Sequence, residues 1–401
     1  MSTLRDAILR QPPNHLNATI EGELLVLDPA SGHFHVLSRS ARLIYESVDG
    51  TSTAAGIACS LGHALGLAVD QLVGDVEAAV QSMVDQSLLI ADDRSSDAAG
   101  LPRLPVEPTR PTDPRAPLRL LDASAEIGLV LAGAAAATVR SRVPGIKKLL
   151  AEPLALLPQP TGTEPAPSIL SVTDPGDTGP LEIHEDGTTI DSAISLEAAA
   201  EAVLTACSVL ATTVPARAVK IHAGVVSKDD KAVVLCGASG AGKSTLTAAL
   251  VQRGWKYLTD EIAVIDPHTW LVTPYPKWVD LSSQSLQLLG LDEHVGIGPT
   301  GPKHHVPPQA LGEAGGAVPV AAVVILTGDE IDAAPVRLRP AGATQTMLGH
   351  VFATTWDHPD GLQALADLCA ETAVVQVPRR PLDEMVTLVG DLIRTAPRPP
   401  S

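Results

Sequence analysis

The spacing of apolar positions changes character along the chain and divides it. Early on, ELLVLDP and HFHVLS are short β-rich runs separated by the turn residues Asp28, Pro29, Ser31 and Gly32, which predicts a hairpin. From SARLIYESVDG onward the period becomes three and four. That run, STAAGIACSLGHAL and VDQLVGDVEAAVQSMVDQSLLI predict three helices, with Ser40, Ser52 and Asp70 as start signals. Residues 15 to 95 therefore read as a small β-then-three-helix domain. Further on, KAVVLC reads as a β run and PVAAVVILTGD as a buried strand. ISLEAAAEAVLTACSVLATTV reads as a helix opened by Ser195, and RRPLDEMVTLVGDLIRT as a terminal helix whose Arg379 and Arg380 fit a solvated cap better than the alternative, a phosphate clamp. The Ala-rich stretch IGLVLAGAAAATV, residues 127 to 139, predicts a buried helix. No internal repeat is present.

Between these two halves a proline falls at every third position, at 102, 105, 108, 111, 114 and 117. Such spacing favours polyproline II and a semi-rigid spacer of roughly 50 Å. We expect a domain at residues 1–95, a linker at 96–117 and a second domain at 118–401. Composition narrows the function classes. The chain carries 28 Lys plus Arg against 46 Asp plus Glu, a net charge of -18, which argues against nucleic acid or an anionic membrane as partner. The four cysteines lie far apart with no metal-ligand spacing, as expected for free thiols in a reducing cytoplasm. The N-terminus lacks the apolar core of a secretory signal, and no apolar run reaches the roughly 20 residues that span a bilayer. A cytoplasmic protein is expected.

The sharpest chemical signal is GASGAGKST, residues 237 to 245, which fits GxxxxGK[ST] between a β run and the helix pattern KSTLTAALVQRG. Glycines there let successive backbone N–H groups turn inward around phosphate oxygens, while the helix N-terminus adds partial positive charge. Gly237, Ala238, Ser239, Gly240, Ala241 and Gly242 form the cradle; Lys243 reaches the β- and γ-phosphates, Ser244 holds Mg²⁺ and Thr245 supports the neighbouring phosphate. Upstream, AVKIHAGVVSKDDKAVVLCG predicts two strands joined at Lys228 to Asp230, with His222 pairing near Leu235. Downstream, Asp260 and Glu261 follow Lys243 by only 17 and 18 residues. An acidic pair beside Mg·ATP can divide its labour, one carboxylate taking the acceptor proton and the other helping to hold the metal.

Two resemblances build on these residues. LLVLDPASGHFHVLS, the SARLIYESVDG helix and the DVEAAVQSMVDQSLL helix resemble, in that order, the PqqD-like family of peptide-recognition elements over about residues 15 to 92. The resemblance implies a winged-helix-like domain that binds a precursor's leader peptide as an added strand. Its groove would lie between His33, Phe34, His35, Val36 and Leu37 and the helix face with Val73, Val76, Glu77 and Val80. This domain has 5 basic and 12 acidic side chains, so a basic leader would suit it. His33 and His35 share one face of a strand, and no third metal ligand presents itself from the sequence.

The stretch IHAGVVSKDDKAVVLCGASGAGKSTLTAALVQRGWKYLTDEIAVID resembles the core of HPr kinase/phosphorylase-like proteins closely over 221 to 266, and loosely over about 118 to 395. That implies a mixed-sheet α/β P-loop kinase domain of PEP-carboxykinase-like architecture, beside the α+β first domain. It further implies ATP and Mg²⁺ at Gly237 to Thr245, Asp260 as general base, His222 near the transferred phosphoryl, and Glu261 beside Ser244 and Asp260 at the metal. Lys303, in GPTGPKHHVPPQALG, stands where relatives place a loop over the nucleotide; a phosphate contact and a plain surface loop both fit. The glycine-bearing run that follows the acidic strand in HPr kinases is absent from WLVTPYPKWVDLSSQSLQLLG, which points away from HPr as the substrate. Joined, the halves suggest a kinase of a ribosomally made peptide, with other peptide-modifying enzymes as partners and homo-oligomerisation left open. The rival reading is a nucleotide-binding adaptor that delivers the precursor to separate enzymes.

Overall fold

The computed structural model describes residues 7–92, 125–132, 135–159, 167–176, 179–213, 217–291, 303–328 and 333–396. The chain forms two compact units, residues 1–111 and 112–401. The expected linker, 96–117, lies outside the described residues.

In the first unit, β1 (Ile8–Arg10) pairs with β5 (Ile90–Asp92), while β2 (Leu16–Ile20), β3 (Glu23–Leu27) and β4 (Phe34–Leu37) form an antiparallel sheet in that order. The expected hairpin is β3–β4. Its turn is fixed by Asp28, whose carboxylate accepts from Ala30 N and from the Ser31 hydroxyl. Helices α1 (Arg39–Glu46), α2 (Ala54–Leu65) and α3 (Val69–Asp85) follow as predicted, but they start from other residues. Ser38 and Thr53 cap α1 and α2 through their hydroxyls, and α3 begins after Ala68 with no side-chain cap. Ser40 lies inside the first turn, Ser52 one residue before the cap, and Asp70 in the first turn of α3, where a carboxylate suits the helix dipole.

The second unit opens with a five-stranded sheet in the order β10-β9-β8-β7-β6. Its strands are β6 (Glu126–Ala132), β7 (Ala135–Ser141), β8 (Ser168–Thr173), β9 (Leu181–Glu185) and β10 (Thr188–Ala193). The helix expected over 127 to 139 is thus an antiparallel pair. Alanine's helix preference amounts to less than about 1 kcal/mol per residue. It loses here to parallel pairing of β7 with β8 and to burial of Val130, Ala137 and Val139 beside α4 (Ile146–Leu156) and α5 (Leu196–Thr213). Among the described residues α5 alone is long and apolar enough to cross a membrane by length and composition, yet its buried face packs in this same core.

The larger sheet runs β11-β15-β16-β19-β13-β12-β14, with β21 and β20 beyond β19. Its members are β11 (Val219–His222), β12 (Gly224–Lys228), β13 (Lys231–Gly237), β14 (Lys256–Thr259), β15 (Ile262–Ile265), β16 (Leu271–Thr273), β19 (Val318–Thr327), β20 (Val336–Arg337) and β21 (Ala373–Pro378). A short antiparallel pair, β17 (Val279–Ser282) and β18 (Lys303–Val306), stands apart. Helices α6 (Lys243–Gln252), α7 (Ser283–Leu289), α8 (Pro340–Met347), α9 (Gly361–Glu371) and α10 (Leu382–Thr395) complete the unit.

Strands β13, β19 and β21 are mutually parallel and buried on both faces. Val233 and Leu235 pack in one core, Ala232, Val234 and Cys236 in the other. Two-sided burial is why these segments read as unbroken apolar runs with no alternation. The turn between β12 and β13 is the predicted one: Asp229 and Asp230 both adopt positive φ, as a two-residue hairpin turn requires. His222, however, does not lie on that hairpin. The chain leaves the β12 ladder at Ala223, so Gly224 pairs with Leu235 while His222 on β11 pairs with Ile262 of β15.

Gly237 ends β13 at φ 153°, and a Cβ there would sit 2.8 Å from Leu326 O on β19. Gly237→Ala should push β13 from β19 and lower stability by about 2 to 4 kcal/mol. A fall in the urea midpoint at constant m-value would report it; an unchanged midpoint would mean the strands accommodate the methyl.

Candidate active site

The loop from Gly237 to Gly242 joins β13 to α6, with Gly240 and Gly242 also at positive φ. Lys243 is the first residue of α6. It is buried, and its Nζ donates to Gly237 O at 2.7 Å and Ala238 O at 3.3 Å, the loop's own carbonyls. Thr245 Oγ1 lies 2.8 Å from Ser285 Oγ, which in turn meets Ser282 Oγ, so this hydroxyl is tied to the start of α7.

Asp260 and Glu261 form the corner between β14 and β15. Asp260 is buried, Oδ1 has no hydrogen-bond partner, and the Ser244 hydroxyl bonds the carboxylate. Burial pushes its pKa up to about 7; the Ser244 bond and Lys277 act against that, while Asp280 and Glu261 add to it. Gly224 makes the space: a Cβ there would lie 2.3 Å from Thr247 Oγ1 and 3.3 Å from Asp260 Oδ1.

Glu261 makes one close ion pair and one longer contact. Oε2 lies 2.8 Å from Lys277 Nζ, and Oε1 lies 3.5 Å from His222 Nδ1. Lys277 also reaches Asp280 at 3.1 Å, and Asp280 Oδ1 lies 2.7 Å from His305 Nδ1. Burial works against the Lys277 ammonium, yet Asp280 and Glu261 hold its pKa above the ordinary value. Burial likewise opposes ionisation of Asp280, but the His305 bond and the Lys277 charge keep it well below the usual carboxylate range. His222 is half-exposed and edge-on to Phe352 at 6.1 Å. Burial lowers its pKa, with Glu261 opposing and Lys243 adding to that shift.

His222, Asp260, Glu261 and Asp280 line one cavity of about 720 Å³, together with Ser239 to Thr245, Lys303, Arg379 and Arg380. His222 thus reaches the phosphate loop, through β11 and the acidic corner rather than through the hairpin. Lys303 opens β18, a strand where a loop was expected, opposite Ser282; residues 298–302 lie outside the described residues. Arg379 and Arg380, expected to be a solvated helix cap, face this cavity because β21 ends beside β19. Lys277, Asp280 and His305 were missed, since their alignment depends on the β17–β18 pair, which nothing local announces. Among the described residues no three His, Cys, Asp or Glu side chains form a metal cage. The oxygen donors at this corner that suit Mg²⁺ are the Ser244 hydroxyl and the carboxylates of Asp260 and Glu261.

In the first unit β4 is an edge of its sheet, and His33, Phe34, His35 and Val36 are exposed or half-buried along it. Leu37, Val76 and Val80 are instead core residues, and Val73 packs against that core, because α3 turns the face once assigned to a groove into the core it shares with α1 and α2. Glu77 is half-buried. His15 joins the histidine pair electrostatically: burial lowers its pKa, with Asp28 opposing and His35 adding.

Residues 23–89 match the family of coenzyme PQQ synthesis protein D (PqqD). No curated protein matches the chain. Among solved structures, the Hpr(Ser) kinase/phosphatase from Coxiella burnetii is similar at 16% identity and a TM-score of 0.25, covering 44% of this chain and 93% of that one. A likeness of that degree assigns no activity. The chain joins a PqqD segment to a P-loop unit of mixed α/β fold.

The Asp260 shift carries a stability consequence. Its folded pKa lies above the ordinary 3.8, so its contribution is fully present below about pH 4 and is lost as pH rises toward 7. Asp280, shifted the other way, loses its contribution only below about pH 4. Histidines with lowered pKa, among them His15 and His222, act in the opposite sense over this range, so the test is the difference: in urea unfolding across pH 4 to 7, Asp260→Asn should gain stability relative to the wild type as pH rises. Equal slopes would place the titration elsewhere.

Proposed function

We propose that the chain is an ATP-dependent phosphotransferase of a ribosomally made peptide pathway, which captures a precursor's leader on its first unit and phosphorylates a Ser or Thr hydroxyl of that precursor. The observation that carries this reading is Asp260: a buried carboxylate with a pKa near neutrality, bonded to the phosphate loop's Ser244 and lining the loop's cavity. A general base works best with a pKa near the working pH and within reach of the proton it takes. Alternatives such as a solvated turn acid would leave it exposed and ordinary.

In the proposed reaction the acceptor oxygen bonds to the γ-phosphorus of ATP, and the bond from that phosphorus to the β–γ bridging oxygen breaks. Its electron pair leaves with ADP, and the hydroxyl proton passes to the Asp260 carboxylate. The loop N–H groups from Gly237 to Thr245 bind and orient the phosphates, and Lys243 exchanges its loop carbonyls for phosphate oxygens. Ser244, with Glu261 as the second carboxylate of the acidic corner, would hold Mg²⁺, which when bound offsets phosphate charge, and Asp260 is left to take the proton. Glu261, held by Lys277, orients His222 beside the transferred group. Lys303 closes the cavity from β18.

Capture of the leader rests on the PqqD match and on β4, an edge strand able to pair with a guest strand. Val36→Arg, at an exposed position of β4 outside the core, should weaken a leader peptide at least about tenfold by anisotropy without lowering the melting temperature. Unchanged affinity would move the peptide off this edge.

The direct test is intact-mass analysis of short peptides encoded beside the gene after incubation with the protein, Mg²⁺ and ATP. A gain of about 80 Da, absent with Asp260→Ala, is expected for one phosphoryl group. A peptide that binds residues 1–95 yet gains no mass would favour the adaptor instead.

A further inference from the structure

Three parallel strands end level with one another at the phosphate edge. Gly237 of β13 is paired with Leu326 of β19, and Leu326 and Thr327 are paired with Val377 and Pro378 of β21. The phosphate loop leaves the sheet after Gly237, and Arg379 leaves it after Pro378. Two strand spacings separate the exits, about 10 Å of backbone. The carboxyl ends of such strands are where open α/β sheets bind ligands.

The neighbouring arginines have different surroundings. Arg380 Nη2 donates to Ala333 O at 2.7 Å, and Nη1 lies 3.7 Å from Glu384, so this side chain secures the turn into α10. Arg379 is exposed, lines the cavity and makes no hydrogen bond or ion pair among the described residues. Of the other cations, Lys277, behind the cavity wall, is committed to Glu261 and Asp280, and Lys243 to the loop.

We propose that Arg379 is a catalytic residue, an arginine supplied in cis whose guanidinium contacts the γ-phosphoryl oxygens during transfer. The inference rests on the phosphotransferase reading and deepens it. As the acceptor oxygen approaches and the bridging bond to ADP breaks, charge spreads over the three equatorial oxygens and onto the leaving bridge. A planar guanidinium with paired donors meets two oxygens at once, which the point charge of Lys303 does not. Arg380, by holding the strand-to-helix turn, keeps its neighbour's backbone in place.

The test uses the full chain, the precursor peptide and Mg·ATP, with mant-ATP as the binding probe. Arg379→Ala should lower kcat by at least about 100-fold, toward the 10³–10⁵ range known for arginines in this role, while mant-ATP affinity changes by less than about threefold. Arg379→Lys should recover only part of the loss, with an unchanged melting temperature in both variants. A wild type that transfers phosphate together with an Arg379→Ala variant whose kcat stays within about threefold overturns this proposal alone, and so does a loss of affinity that matches the loss in kcat. A wild type that binds mant-ATP and transfers nothing overturns the phosphotransferase reading and this proposal with it.

Discussion

The parallel pairing of β13, β19 and β21 is the constraint on which the site depends. Strand β19 hydrogen-bonds to both others and also meets β16, so a shift in its register would displace every group at the phosphate edge. Its position beside Gly237 is closer than any side chain would allow, which makes glycine at the first loop position a requirement of the sheet as well as of the phosphate cradle. With apolar cores on both faces, the three strands have no solvated side through which to slip. Precision at the loop therefore comes from hydrophobic packing one layer below it.

A second constraint is charge. In the proposed reaction a chain of net charge -18 would receive a polyanionic nucleotide in a cavity that also holds Asp260, Glu261 and Asp280. The structure resolves this by pairing. Lys277 lies between Glu261 and Asp280, and His305 meets the far oxygen of Asp280, so two of the three carboxylates face their own cations. The third is buried until it holds its proton near neutrality. Among the described residues, the cations that line the cavity without a partner are Arg379 at the end of β21 and Lys303 at the start of β18.

What was legible in the sequence was local. The two-aspartate turn, the phosphate loop, the helix behind it and the acidic corner follow one another within a few residues, and each carries its own chemical signature. What was not legible depended on distant partners. The segment 127–139 is a strand pair because β8, some thirty residues on, accepts it. His222 was assigned to the wrong ladder because a one-residue break at Ala223 leaves no trace in hydropathy. Val76 and Val80 carry the same apolar spacing whether they face a core or a groove; only the packing of α3 on its neighbouring helices decides. The arginine pair looked solvated because nothing in RRPLDEM records where β21 ends.

Asp260 shows how these constraints bear on one another. Raising a carboxyl from 3.8 to about 7 by burial disfavours the folded state by on the order of 4 kcal/mol above that pH, a sizeable fraction of a domain's net stability. Nothing in packing asks for an aspartate there: Gly224 leaves the room for it, and Thr247 Oγ1 and Asp260 Oδ1 share that space without a partner. An apolar residue would fill the same corner at lower free energy. A carboxylate held at that cost, against the hydroxyl of a phosphate loop, is what the proposed proton transfer at neutral pH would require. The two-sided core of β13 and β19 supplies the stability that offsets its burial.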